Sequence, residues 1–165
     1  MLPVILNPQN VRVGVAGSGE ALDRRLGFLR DSGVEAIQLT ADDAAALGSL
    51  NVLYIAGLNR STSERLAAQA RAGGVLVNTE DQPDLCDFHV PAVVRRGDLL
   101  LTVSSAGRSP GLVKLIREWL SARFGAEWSG HLKDLGQRRD DWRAQNIPAS
   151  EISTKTRAIA STWLP

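Results

Sequence analysis

Apolar residues alternate at Val11, Val13 and Val15, then switch to helical spacing at Leu22, Leu26 and Leu29. Gly17 and Gly19 mark the changeover and Gly33 follows it, which predicts a strand, a glycine turn and a helix stopped by Gly33. Val34 to Thr40 predicts a second strand. The near-continuous apolar run Asn51 to Leu58 predicts a third strand buried on both faces, and Val75 to Asn78 a fourth. Between them, the Ala-rich stretch Ala44 to Leu47 and the face formed by Leu66, Ala67 and Ala70 are helical. The second of these opens on the capping-box pattern Ser61-Thr62-Ser63-Glu64 and closes at Gly73-Gly74. Residues 11 to 78 therefore alternate strand and helix, the pattern of an α/β fold with a parallel sheet and helices on its faces. Upstream, Leu2 to Leu6 predicts a short strand before the turn residues Asn7-Pro8-Gln9-Asn10.

The period then changes. His89 to Val94 and Asp98 to Ser104 are two β-rich runs joined by Arg95-Arg96-Gly97, which is hairpin chemistry. From Ser109 the chain reads as helical, with Ser109 as N-cap, Pro110 at the first helical position, and Leu112, Leu115, Ile116 and Trp119 on one side. Two more amphipathic stretches, Trp128 to Trp142 and Ile152 to Trp163, flank Asn146-Ile147-Pro148. All four tryptophans lie in this tail, where core or subunit contact is the expected role.

Composition narrows the class without naming a partner. The 165 residues allow one domain with a core, or a domain and a smaller appendage. With 44% hydrophobic and 22% charged residues the chain reads as a soluble globular protein, and a formal charge of +1 points to neither nucleic acid nor membrane. Cys86 is the only cysteine, which excludes an intramolecular disulfide and a thiolate-rich metal site and suits a reducing cytoplasm. No apolar run reaches membrane length, and MLPVILNPQN lacks the features of a signal peptide.

A helix that opens from a glycine turn presents unpaired N–H groups and a positive dipole end, so it can hold a pyrophosphate. Gly17-Ser18-Gly19-Glu20-Ala21-Leu22 fits the dinucleotide fingerprint except at Leu22, where a small residue is usual. The turn is thus either a nucleotide site or a structural βα turn. Asp42 and Asp43, just beyond the second strand, are placed to bind an adenosine ribose or to cap the following helix. If the sheet binds a ligand, Gly17, Asp42, Gly57 and the Asn78 to Asp81 segment are expected to meet in one crevice at its carboxyl edge. Gly107-Arg108-Ser109-Pro110-Gly111 has the G-x-S-x-G spacing of a hydrolase elbow. Pro110, however, lacks the N–H that an oxyanion hole takes from that position, and only His131 follows Ser109 as a triad histidine.

Three segments carry a family resemblance: V-x-V-x-G-x-G with Arg24-Arg25 downstream, Val77-Asn78-Thr79-Glu80-Asp81-Gln82-Pro83, and the run from Leu99 to Arg117 (LLLTVSSAGRSPGLVKLIR). They resemble the N-terminal dehydrogenase/ferrochelatase module of siroheme synthases, with N-V-x-D-x-P and V-S-S-G-G-x-S-P segments. The resemblance implies a Rossmann-like NAD-binding domain over residues 1–90, a small β-rich dimerisation region over 91–124 and a short helical region over 125–165. It implies NAD-dependent oxidation of precorrin-2 to sirohydrochlorin, with Fe²⁺ inserted as substrate metal in bifunctional members, by a homodimer. Asp81 then stands at the catalytic aspartate. Gly17, Gly19, Glu20, Ala21, Ala41, Asp42 and Gly57 become cofactor contacts, and Ser105, Gly107, Arg108 and Ser109 contacts to the substrate carboxylates. A protein of this fold that binds nucleotide or tetrapyrrole without turnover, as sensor or carrier, is the alternative. Leu22, the Ala56-Gly57-Leu58-Asn59 segment and Ala106 depart from the family pattern.

Overall fold

The computed structural model describes residues 2–40 and 43–164, apart from the side chains of Ala44 and Ala45. The chain divides into two compact units, Met1–Val90 and Pro91–Pro165. In the first, four parallel strands, β1 (Val13–Gly17), β2 (Ile37–Leu39), β3 (Val52–Ala56) and β4 (Leu76–Thr79), lie in the order β2-β1-β3-β4. The chain leaves β1 toward β2 and returns to place β3 on the other side of β1. The switch point of this Rossmann-like sheet therefore lies between β1 and β3, where such sheets bind ligands.

Strand alternation assigns the two faces. Val13, Val15, Val52 and Tyr54 pack with Leu29, Leu22 and Leu26 of α1 (Gly19–Asp31). On the other face, Leu53, Ile55 and Val77 pack with Leu66, Ala67 and Ala70 of α3 (Arg60–Ala72), with Leu47 of the one-turn α2 (Ala44–Leu47) in the same cluster. All five residues of β3 are buried, as its apolar run predicts. Leu22 is accommodated in the α1-side cluster, so the larger side chain adds to the core.

Several expected elements are corrected. Leu2 to Leu6 forms no strand. Pro3 lacks an N–H, β1 already has a neighbour on each side, and Leu2, Val4, Ile5 and Leu6 are exposed. A 3-10 turn follows at Pro8–Asn10, its cap Asn7 accepting from the Gln9 N–H at 3.1 Å. The second strand spans only Ile37–Leu39, because it pairs with β1 alone at the sheet edge. The capping box is not used: α3 starts at Arg60, and Asn59 Oδ1 accepts from the Thr62 N–H at 3.0 Å, while Ser63 is fully buried.

The second unit begins with an antiparallel hairpin, β5 (Ala92–Arg96) and β6 (Leu99–Val103), with Arg96 opposite Leu99. Its turn is Gly97-Asp98 and not Arg95-Arg96-Gly97, since both arginines are in the ladder and a two-residue turn with glycine first suits the strand twist. Residues 89–91 precede the first strand and are not part of it. Three helices follow: α4 (Pro110–Arg123), α5 (Glu127–Ala144) and α6 (Ala149–Ala160). Ser109 caps α4 as expected, accepting from the Leu112 N–H at 3.4 Å. At its other end the Arg96 guanidinium donates to Phe124 O at 2.7 Å and Ser121 O at 3.0 Å, satisfying carbonyls that a helix end leaves open.

The contact face of α4 differs from the expected one. Val113, Ile116 and Leu120 are half-buried, whereas Leu112, Leu115 and Trp119 are exposed. The apolar stripe is wider than the surface the unit itself covers. Among the described residues of this unit only Val94 and Ile152 are buried apolar side chains. Trp128 and Trp163 instead meet in an aromatic cluster with Phe124 and His131, the His131 and Trp163 rings stacked at 4.1 Å.

Candidate functional site

The carboxyl ends of β1, β3 and β4 converge through the backbone. The Ser18 N–H donates to Ala56 O at 3.1 Å, and the Glu80 N–H donates to Ile55 O at 2.9 Å. Two glycines make the first contact possible. A Cβ on Gly17 would stand 2.3 Å from Ala56 O, and one on Gly57, whose φ is +70°, would stand 2.4 Å from Ser18 O and 3.1 Å from Ala21 Cβ. Gly19 differs: its φ is +60°, but a Cβ there would meet no atom within 4 Å. Gly17 and Gly57 are thus closed by the protein's own backbone, whereas Gly19 borders open space at the first turn of α1.

That first turn has no side-chain cap. Ser18 occupies the N-cap position, but its hydroxyl donates to Gly57 O at 2.9 Å and not toward the helix. Among the described residues no side chain accepts from the leading N–H groups of α1, which is the arrangement an anion requires. Glu20, in that turn, is almost fully exposed and reaches back toward Arg24 at 3.8 Å. Arg25 lies over the Tyr54 ring at 4.8 Å, and burial raises the Tyr54 pKa while Arg25 opposes the rise.

Ala41 and Asp42 lie outside the described residues. Asp43 stands at the N-cap of α2, yet its carboxylate accepts from Thr40 N at 2.7 Å and Thr40 Oγ1 at 2.8 Å. These bonds, the backbone one first, hold its pKa below the usual 3.8. One of its two oxygens, Oδ2, is thus committed to the turn.

Asp81 follows β4 at the same edge, exposed, with φ +58°. Its loop is fastened from several directions. Asp87 accepts from Val77 N at 2.8 Å and Arg71 Nε at 2.9 Å, Asn78 Nδ2 donates to Phe88 O at 2.9 Å, and the Thr79 N–H donates to Cys86 Sγ at 3.2 Å. Asp81 therefore projects from a rigid support. Beside it, Glu80 receives Arg24 Nη2 at 3.5 Å on Oε1, while Oε2 is buried without a partner.

The other predicted residues sit in the second unit, on the loop between β6 and α4. Ser105 Oγ accepts from the Ser109 N–H at 3.0 Å, and the Arg108 N–H donates to Ser105 O at 3.0 Å. Arg108 and Gly107 are exposed. Ser109 serves as helix cap, and Pro110 after it has no N–H to offer an oxyanion. Among the described residues no three His, Cys, Asp or Glu side chains cluster as a metal site, and no helix is long and apolar enough to cross a membrane.

A family model described as "Putative NAD(P)-binding" matches residues 38–92, from β2 through the loop that carries Asp81. The siroheme synthase of Methylococcus capsulatus is 28% identical over 95% of this chain and 41% of its own length. That of Nitrosococcus oceani is 31% identical over 88% of the chain and 37% of its own length. Along nearly its whole length the chain is thus similar to part of the siroheme synthases. It spans about two fifths of the length of these relatives. The solved structure titled "SirC, precorrin-2 dehydrogenase" has the same fold, with a TM-score of 0.73 at 19% identity over 96% of this chain and 89% of that one.

Ala106, where the resembled V-S-S-G-G segment has glycine, takes φ +56°, a conformation that costs an L-residue about 1–2 kcal/mol. Glu80 occupies the variable position of N-V-x-D-x-P, so the motif draws attention past it to Asp81. The signal available in the sequence was a second acidic residue at the carboxyl end of a buried strand.

Proposed function

We propose that this chain binds NAD at the β1/β3 switch point and oxidises precorrin-2 to sirohydrochlorin. The observation that carries the reading is the presence, at one edge of one sheet, of an open uncapped helix turn and a rigidly supported carboxylate. The similarity to siroheme synthases along nearly the whole chain supports the substrate class. The residues fit a dinucleotide. The free N–H groups at the start of α1 and the open space at Gly19 suit a pyrophosphate, and the buried acceptor on Glu80 suits a donor further along the crevice. When bound, NAD⁺ supplies the hydride acceptor.

Asp81 takes the proton released as the substrate gives up its hydride, a general-base role for an exposed carboxylate at the crevice mouth. Arg108 offers its guanidinium to a substrate carboxylate, for which it can form paired charge-assisted bonds. Insertion of Fe²⁺ into sirohydrochlorin is a second activity of the same proposal, with Asp81 accepting the pyrrole protons. In an anaerobic assay, NADH is expected to form at 340 nm when precorrin-2 is added to protein and NAD⁺. Uptake of precorrin-2 without NADH would instead identify a sensor or carrier. Loss of sirohydrochlorin on adding Fe²⁺ without NAD⁺ would establish the chelatase step.

The proposal includes a homodimer, supported by the exposed Leu112, Leu115 and Trp119 of α4 above a second unit with so few buried side chains. An apolar stripe of this kind on a thin core is the composition expected of a subunit interface. Sedimentation analysis is expected to give twice the chain mass. Leu115→Glu should shift the protein to monomer, and an unchanged mass for that variant would exclude α4 as the contact.

A further inference from the structure

We propose that Glu80 contacts the nicotinamide half of the dinucleotide and biases the site toward the oxidised cofactor. The inference rests on the cofactor reading above. Alternation along β4 puts Val77 against α3 and Asn78 on the α1 side, and Glu80 continues the α1-side register. Arg24 of α1 meets its Oε1 at 3.5 Å. The Glu80 side chain is only 22% exposed, and Oε2 has no partner although it is buried. A buried acceptor left unpaired is costly and calls for a specific explanation, and a ligand donor supplies one.

The chemistry of the dinucleotide selects which part reaches this oxygen. An ionised carboxylate only accepts hydrogen bonds, and a pyrophosphate has none to donate. Adenosine is expected on the β2 side of the switch point. Glu80 lies at the end of β4, two strands beyond β1 in the opposite direction, about 10 Å away at ordinary strand spacing. What extends that way is the nicotinamide riboside, whose amide and ribose hydroxyls are donors. Its ring is cationic when oxidised and neutral when reduced. A partly buried anion beside it therefore favours NAD⁺ over NADH, and Arg24 moderates the effect because it shares the carboxylate. Arg24 is itself 63% exposed and divided between Glu80 and Glu20. Such a site takes up the oxidised cofactor and releases the reduced one, as a dehydrogenase running in this direction requires.

Calorimetric titration of the whole chain with NAD⁺, NADH and ADP-ribose tests this. Glu80→Gln keeps the shape and removes the charge. It is expected to weaken NAD⁺ binding about tenfold while changing NADH and ADP-ribose by less than about twofold. Arg24→Gln, on an exposed side chain, is expected to move the NAD⁺/NADH affinity ratio the other way. Equal weakening of all three ligands by Glu80→Gln, or no change in the ratio for either variant, would overturn the proposal. A wild-type protein that is folded but binds no NAD⁺ would overturn the cofactor reading and this inference together. Retained NAD⁺ binding with an unchanged ratio would sink this inference alone.

Discussion

Asp81→Asn is expected to lower the rate of NADH formation from precorrin-2 by about 100-fold or more, with NAD⁺ affinity unchanged. General-base groups contribute about 10²–10⁴ to rate, and an amide cannot take the proton. Asn is the informative replacement because Asp81 has φ +58°, a conformation that Asn tolerates and Ala adopts at a cost. The loop itself depends on Asp87, Asn78 and Cys86, none of which the variant touches. Thermal melting should therefore match wild type while single-turnover absorbance at 340 nm collapses. Full activity in Asp81→Asn would remove Asp81 from the chemistry and make a carboxylate such as Glu80 the next to examine.

Gly57→Ala is expected to cost about 3 kcal/mol of stability and to abolish NAD⁺ binding in the fraction that folds. Two penalties combine. The residue has φ +70°, and the new Cβ would stand 2.4 Å from Ser18 O, a main-chain atom that cannot rotate away. Backbone strain of about 1–3 kcal/mol adds to overpacking of similar size. Relief requires β3 to separate from the start of α1, breaking the bond from Ser18 Oγ to Gly57 O and displacing the first turn. Gly19→Ala is the contrast. Its Cβ enters open space, so it should lose only the strain energy in urea unfolding and yet weaken nucleotide binding by filling that space. If both variants lost equal stability, the distinction between a packed and an open glycine would be wrong.

The regular parts of this fold were legible because they depend on local periodicity. The alternating valines of β1, the apolar run of β3 and the Leu66-Ala67-Ala70 face specify elements whose burial any parallel sheet would require. The same holds for Ser109 and Pro110 at the start of α4, since a cap acts within one turn. Ends and edges were less legible. Leu2 to Leu6 has strand composition but pairs with neither edge strand of the sheet, and Asn59, two residues before the expected capping box, took the cap of α3.

Sequence alone thus determined the α/β order, the two glycines of the βα turn and the carboxylate segment after β4. Only the tertiary structure decided which glycine is packed and which is open, because that depends on a carbonyl contributed by another strand. It also turned Ser18 away from its own helix, toward Gly57, and left the start of α1 available. Glu80 acquired its position in the same way. Its burial and its contact with Arg24 arise when α1 and β4 are brought together across the sheet, a distance of 56 residues along the chain that no local pattern encodes.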